Sequence, residues 1–173
     1  MTLTNLFFRI GKTTAAIALM LLILIPSAGG QELYRLPLDN ASSIGTTIST
    51  DLHVKQEGKS AIKISTLGPT TICLGTVQSL NVENAQLVYR ARVKSDNLEG
   101  AALLEMWCEV GGGRYFSRGV NSTVAGSMDW KTLEAPFFLQ AGQKVERVTL
   151  NIVISGKGTV WVDDIVLYKE PFN

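Results

Sequence analysis

Gly156-Lys157-Gly158-Thr159-Val160-Trp161-Val162-Asp163-Asp164-Ile165-Val166-Leu167 reads as a tight turn feeding a β-branched and aromatic run that two acids interrupt. Val160 and Val162 share one side of a pleated strand, whereas Ile165 and Leu167 have the opposite parity. The inward-facing set therefore changes phase at Asp163-Asp164, and a bulge or bend there is the simplest repair.

Upstream, short runs alternate apolar with polar residues and are separated by Gly, Asn, Asp and Ser clusters. Leu87, Tyr89, Ala91 and Val93 alternate with Val88, Arg90, Arg92 and Lys94, giving one apolar face and one cationic face. Leu104, Met106, Cys108 and Val110 oppose Glu105, Trp107 and Glu109, and three glycines at 111–113 lead into a further run at 114–118. Residues 130–139 read as a strand broken by Pro136, while Val148, Leu150, Ile152 and Ile154 make an inward row that leaves Arg147, Thr149, Asn151 and Val153 outside. Nearer the start, 52–54 and 61–65 flank Glu57-Gly58-Lys59 as a hairpin, and 71–77 follows the Gly68-Pro69 breaker. A first strand is expected at 34–38 with Pro37 at its end, and 44–48 reads as extended. Without helical periodicity, internal repeats or low complexity, the pattern is all-β: a two-sheet antiparallel β-sandwich.

Residues 1–30 carry Arg9 and Lys12 ahead of an apolar run at 13–25, then Pro26-Ser27-Ala28-Gly29-Gly30, the layout of a secretory signal peptide. The apolar run is shorter than the roughly 18 residues of a membrane span, which leaves an uncleaved anchor as the alternative. The remainder, 31–173, is about 140 residues, the size of one domain with a real core. Removing the leader takes away two of 16 basic residues and none of the 15 acids, so the mature chain carries a net charge of −1. That balance gives no support for a nucleic-acid partner, and no second apolar run supports membrane insertion after cleavage. Export permits a disulfide, but parity places Cys73 and Cys108 on different sides of their strands, so two separate thiols are expected.

Three pieces in order, Glu57-Gly58-Lys59-Ser60-Ala61-Ile62-Lys63-Ile64, Trp130 through Pro136-Phe137-Phe138-Leu139, and the closing Gly158 to Leu167 strand, resemble carbohydrate-binding modules of the galactose-binding-like jelly-roll fold. With the alternating strands between them, the similarity spans nearly the whole mature chain. It implies a jelly roll, commonly holding a structural calcium ion, with a sugar site on a concave face or at loop ends.

If the central strands share a sheet, the outward residues Arg90, Arg92, Glu105, Trp107, Arg118 and Asn151 converge into one patch. A pyranose has an apolar C–H face suited to an indole and hydroxyls suited to planar polar partners, so the mixture fits a sugar; cross-strand ion pairing on a solvated face is the alternative. Tyr115, Phe116 and Arg118, just after the glycines, are a second candidate, either as a binding rim or as an ordinary hairpin whose Phe or Tyr completes the core. Adjacent carboxylates at a bulge suit calcium, and the resemblance favours Asp163 or Asp164 as the ligand, with Asp39 and Asp51 as candidate partners. Backbone hydrogen bonds to one of these acids are the competing explanation.

An enzyme finds little support. His53 is the lone histidine, and Glu105 and Glu109 stand about 13 Å apart by strand rise, beyond the roughly 6.5–9.5 Å of an inverting carboxylate pair. The reading is a secreted or periplasmic, non-catalytic module that binds a polysaccharide or oligosaccharide. Its rival is an extracytoplasmic protein-interaction or assembly domain using the same face against a partner protein.

Overall fold

A computed structural model describes residues 30–36 and 48–171, and every regular element within them is a strand. These are β1 (Gln31–Arg35), β2 (Ile48–Asp51), β3 (Ala61–Thr66), β4 (Thr70–Gln78), β5 (Ala85–Val110), β6 (Gly113–Leu139), β7 (Val145–Ile154) and β8 (Gly158–Glu170). The proposed signal segment, apart from Gly30, lies outside the described residues, as do Pro37, Leu38, Asp39 and the 44–47 stretch.

Two of the strands are far longer than the alternation suggested. The separate runs expected at 87–93 and 103–110 are one strand, β5, and those at 114–118 and 130–139 are one strand, β6. The first half of β5 pairs with β8 and the second half of β6; its second half pairs with β7 and the first half of β6. Between the halves the register slips repeatedly, from Val93 to Ala101, and Asn97 and Gly100 adopt left-handed backbone. These slips are bulges, which sharpen bend and twist and turn the long hairpin through a corner. All pairings are antiparallel. One layer holds β2-β3-β8 with the start of β5 and the end of β6, and β1 joins it along β8. The other holds β4-β7 with the end of β5 and the start of β6. The result is the two-layer sandwich expected from the sequence, with continuous strands joining its layers.

Period 2 explains the core. Leu87, Tyr89, Ala91 and Val93 from the first layer and Leu104, Met106, Leu150 and Ile152 from the second are buried together. Each large aliphatic side chain so buried contributes roughly 1.5–3 kcal/mol. In β8, Val160, Val162, Ile165 and Leu167 are all buried despite their mixed parity. The repair is the expected bulge: Arg90 faces Val166 and Arg92 faces Asp163, one extra residue on β8, with Asp164 in left-handed backbone. Cys73 is exposed and Cys108 buried, both as free thiols, and burial pushes the Cys108 thiol up to about 12. The hairpin expected around Glu57-Gly58-Lys59 begins earlier than the sequence suggested. Ile48–Asp51 pairs with β3, and residues 52–60 form the connecting loop, because Asp51 turns its carboxylate onto the amides of His53 and Val54 and ends the strand.

At the other margin β6 meets itself. Ser122 Oγ accepts the Glu134 amide at 3.2 Å, Lys131 Nζ donates to the Thr123 carbonyl at 3.1 Å, and the Ser117 hydroxyl donates to the Pro136 carbonyl. Pro136 is tolerated because this stretch of β6 is a layer edge on which, among the described residues, no further strand forms a ladder that would need its missing N–H. Stitched together, the two edges protect each other from pairing with another chain. Gly119 sits in the seam, where an added Cβ would run into the Glu134 carbonyl. Gly119→Ala is therefore expected to cost about 1–3 kcal/mol by forcing the edges apart. A chemical-denaturation midpoint unchanged by that substitution would contradict the seam.

Candidate functional site

The outer face of the β4-β7-β5-β6 layer is organised by the turn at Gly111-Gly112, where both glycines have positive φ and Val110 faces Gly113. A two-residue loop of this kind fixes register by counting. Glu109 therefore faces Arg114, Trp107 faces Phe116 and Glu105 faces Arg118. On the opposite flank β7 places Arg147, Thr149 and Asn151 beside the same three residues. Three rows thus cross the layer, each with a β5 residue at its centre.

Glu105 is only 3% exposed although it lies on an outward face. Its carboxylate accepts hydrogen bonds from Trp107 Nε1 at 2.7 Å, Asn151 Nδ2 at 3.0 Å and Arg118 Nε at 2.7 Å. Burial alone would raise its pKa, but the hydrogen bonds from Asn151, Arg118 and Trp107, with the nearby guanidinium charge, bring it below the ordinary glutamate value. The group is held ionised, and three neighbouring side chains are held by it.

The same bonds orient an aromatic and cationic ladder. The Arg114 guanidinium stacks over Trp107 at 4.4 Å, Trp107 meets Phe116 at 5.0 Å with the rings tilted by 41°, and Arg118 lies 5.3 Å from the Phe116 ring centre. Trp107 is half-buried, with one ring face under Arg114 and its N–H committed to Glu105. Phe116 is 53% exposed, so it offers more open ring surface than the indole does.

The predicted patch therefore divides. Trp107, Glu105, Arg118 and Asn151 do come together, but Arg90 and Arg92 belong to the other layer, across the corner. Arg90 bonds Glu134 at 2.6 Å and stacks on Tyr168 at 4.8 Å; Arg92 bonds Thr132 Oγ1 and the side-chain carbonyl of Gln56. Parity placed both arginines outward correctly, yet outward in one layer is the far side of the sandwich from outward in the other. Tyr115 has the opposite parity from the ladder and stands at the open end of the sandwich, 56% exposed. Arg114 was not among the predicted site residues and Phe116 was expected at the rim with Tyr115 and not in the patch, although counting across the two-glycine turn puts them beside Glu109 and Trp107.

Asp163 and Asp164 occupy the β8 bulge. Asp163 is buried, its Oδ2 accepts the amides of Gln56 and Glu57 at 2.7 and 3.0 Å, and its Oδ1 accepts the Asp164 amide at 2.7 Å. Asp164 pairs with Arg35. Asp51 is used similarly: the Val54 amide chiefly, against the opposing effect of burial, then the Trp161 indole and the His53 amide, hold it down to about 2. This donor set does not fit a calcium ion, which needs six or more oxygens with open lone pairs rather than carboxylates already facing N–H groups and a guanidinium. Among the described residues no three His, Cys, Asp or Glu side chains gather as ligands. The acids instead tie the 52–60 loop to β8.

No family model matches the chain, and no curated protein matches it in sequence. Solved structures do share its fold. The CBM22-1 xylan-binding domain from Paenibacillus barcinonensis Xyn10C superposes with a TM-score of 0.55 at 14% identity, over 83% of this chain and 97% of that one. The CBM22-1 and GH10 modules of Clostridium thermocellum endo-1,4-β-D-xylanase 10B, complexed with xylohexaose, match with a TM-score of 0.58 at 10% identity, over 80% of this chain and 28% of that one. A further xylan-binding CBM22 domain gives 0.53 at 7% identity, over 83% and 97% of the two chains. The fold is thus the jelly roll of carbohydrate-binding modules, as the resemblance implied.

Two outcomes are expected from this geometry. The folded-state pKa of Glu105 lies below its unfolded value, so its contribution to stability is complete above the ordinary glutamate range and is lost as pH falls through the folded value. Glu105→Ala should cost about 3 kcal/mol at pH 7 by leaving Asn151 and Arg118 without their acceptor, and should flatten the acid side of the stability–pH curve. An unaltered curve would remove Glu105 from the centre of the site. Chelation by EDTA should leave the melting temperature unchanged, whereas Asp163→Ala should cost about 1–3 kcal/mol by orphaning three amides. A chelator-induced fall in melting temperature would overturn the hydrogen-bonded account of the bulge.

Proposed function

We propose that this chain is an extracytoplasmic, non-catalytic carbohydrate-binding module whose ligand lies along the Arg114–Phe116–Arg118 edge of the β5–β6 layer. One observation carries the reading: an exposed phenyl ring is pinned between a half-buried indole and the Arg118 guanidinium, with the Thr149 hydroxyl in the same row and a fixed carboxylate and a primary amide in the next. A sugar ring needs that combination, an apolar surface for its C–H face and planar hydrogen-bonding groups at its rim. Preorganisation adds affinity, since Glu105 has already immobilised Trp107, Arg118 and Asn151 before a ligand arrives. The fold neighbours whose names describe them as xylan-binding support a polysaccharide as the ligand class.

Phe116 is the stacking platform in this reading, and Trp107 is its backing. Non-catalytic character is supported by Glu105 itself, because a carboxylate held ionised below its ordinary range is a poor general acid near neutral pH. Glu109, four residues along the same strand, is engaged by Arg147 at 3.5 Å and does not approach Glu105 as a carboxylate partner. The apolar leader at 13–25 supports export.

The test is retention of the purified chain on insoluble polysaccharides, with soluble xylohexaose, cellohexaose and mannohexaose as competitors. Phe116→Ala should weaken binding about tenfold by removing stacking of about 1.4 kcal/mol, and Arg118→Ala should do the same through lost hydrogen bonding, whereas Arg90→Ala should leave binding unchanged. Equal retention of Phe116→Ala and the parent chain on every polysaccharide that binds would refute the site.

A further inference from the structure

The open end of the sandwich, beyond the ladder, contains a cavity of about 520 Å³. The β5–β6 hairpin contributes Tyr115 and Phe116 from one layer, the end of β6 contributes Phe137 and Phe138 from the other, and Gln140 and Gln143 close it from the β6–β7 turn over a floor at Val110. Tyr115, Phe116 and Phe138 are each more than half exposed, at 56%, 53% and 58%. Large aromatic rings clustered in water at one place on a small protein mark a contact surface. The size falls within the range of small-ligand sites.

The turn that carries the glutamines is built in advance. Gln143 N–H donates to the Gln140 carbonyl at 3.1 Å, Gln140 N–H donates to Gln143 Oε1 at 2.8 Å, and Gly142 N–H donates to Glu83 Oε2 at 2.9 Å, with Gly142 in left-handed backbone. With Oε1 engaged, the side-chain amide of Gln143 still has its two N–H donors. Its lining contains no charged side chain, in contrast to the arginines and glutamates of the adjoining face.

We propose that this end cavity is a second subsite, which takes an uncharged pyranose unit between its aromatic rings with a hydrogen bond from Gln143. It rests on the carbohydrate reading above and extends it, because Phe116 belongs both to the ladder and to the cavity wall. One saccharide chain can pass from the face into the cavity around that ring. Ligand class follows from the lining: stacking and amide hydrogen bonding satisfy a neutral sugar, while a uronate would lose its hydration without a cationic partner. The face and cavity therefore have different tastes, and the cavity selects against acidic units.

The experiment combines calorimetry with NMR on the full chain as exported, using xylohexaose, cellohexaose, mannohexaose and hexagalacturonate. Phe138→Ala and Gln143→Ala should each weaken the neutral hexasaccharide that the parent binds by about tenfold, and the Gln143 side-chain amide resonances of the parent should shift at saturation. Hexagalacturonate should leave those resonances in place. If Phe116→Ala loses binding while both cavity variants bind like the parent and the Gln143 resonances do not move, the subsite is overturned and the face reading stands. If the parent binds no saccharide, both fall together. Should Phe138→Ala unfold, the resonances of the unaltered chain decide the matter, shifted in favour and unshifted against.

Discussion

A single hairpin that runs through both layers is the constraint on which the rest of this molecule depends. Its strands of 26 and 27 residues are joined by two glycines in left-handed backbone, so one tight turn fixes which side chains stand opposite one another along the second layer. A slip of one residue at that turn would send the Arg114, Phe116 and Arg118 side chains to the core and Tyr115 to the face. The corner near Gly100 then folds the hairpin over, the core of both layers closes inside it, and the β6 seam locks the free edges together.

Within that frame the decisive balance at the site concerns Glu105. Taking a carboxylate out of water is costly, and three directed donors plus a guanidinium repay the cost only because β7 and β6 flank β5 at one register position. The carboxylate thereby works as a clamp for an indole, an amide and an arginine. Rigidity of that kind reduces the ordering cost of binding, which is why a half-buried polar network beside an exposed phenyl ring fits recognition better than acid–base chemistry. Asp163 and Asp51 act by the same principle on the opposite side, spending their lone pairs on backbone amides of the 52–60 loop.

Much of this was legible in the sequence, and the limits have physical causes. Strict alternation revealed the core faces of β5, β7 and β8, and the parity change at Asp163-Asp164 disclosed the bulge, because a period of two leaves no other way to bury both halves of that strand. Alternation also separated Cys73 from Cys108. It could not show that Ser95 to Gly100 is a corner inside a strand rather than a loop between strands, since bulges and left-handed residues look like turn chemistry in one dimension. The misplacement of Arg90 and Arg92 follows from that single point: parity distinguishes inside from outside and is silent about which layer. Phe116 was singled out beside the glycines, and its place opposite Trp107 was recoverable, because two residues in the turn determine the pairing across it, whereas the end cavity joins residues 110–116 with 137–143 and depends on how the layers superpose.

The three tryptophans provide a direct measurement of the central claim, that sugar is recognised on the β5–β6 face. Trp107 stands in the ladder, while Trp130 and Trp161 belong to the other layer. In a nitrogen–proton correlation spectrum titrated with a bound oligosaccharide, the account predicts that the Trp107 indole signal moves and those of Trp130 and Trp161 stay. Movement of Trp161 or Trp130 with Trp107 unmoved would place the ligand on the opposite face and contradict the account.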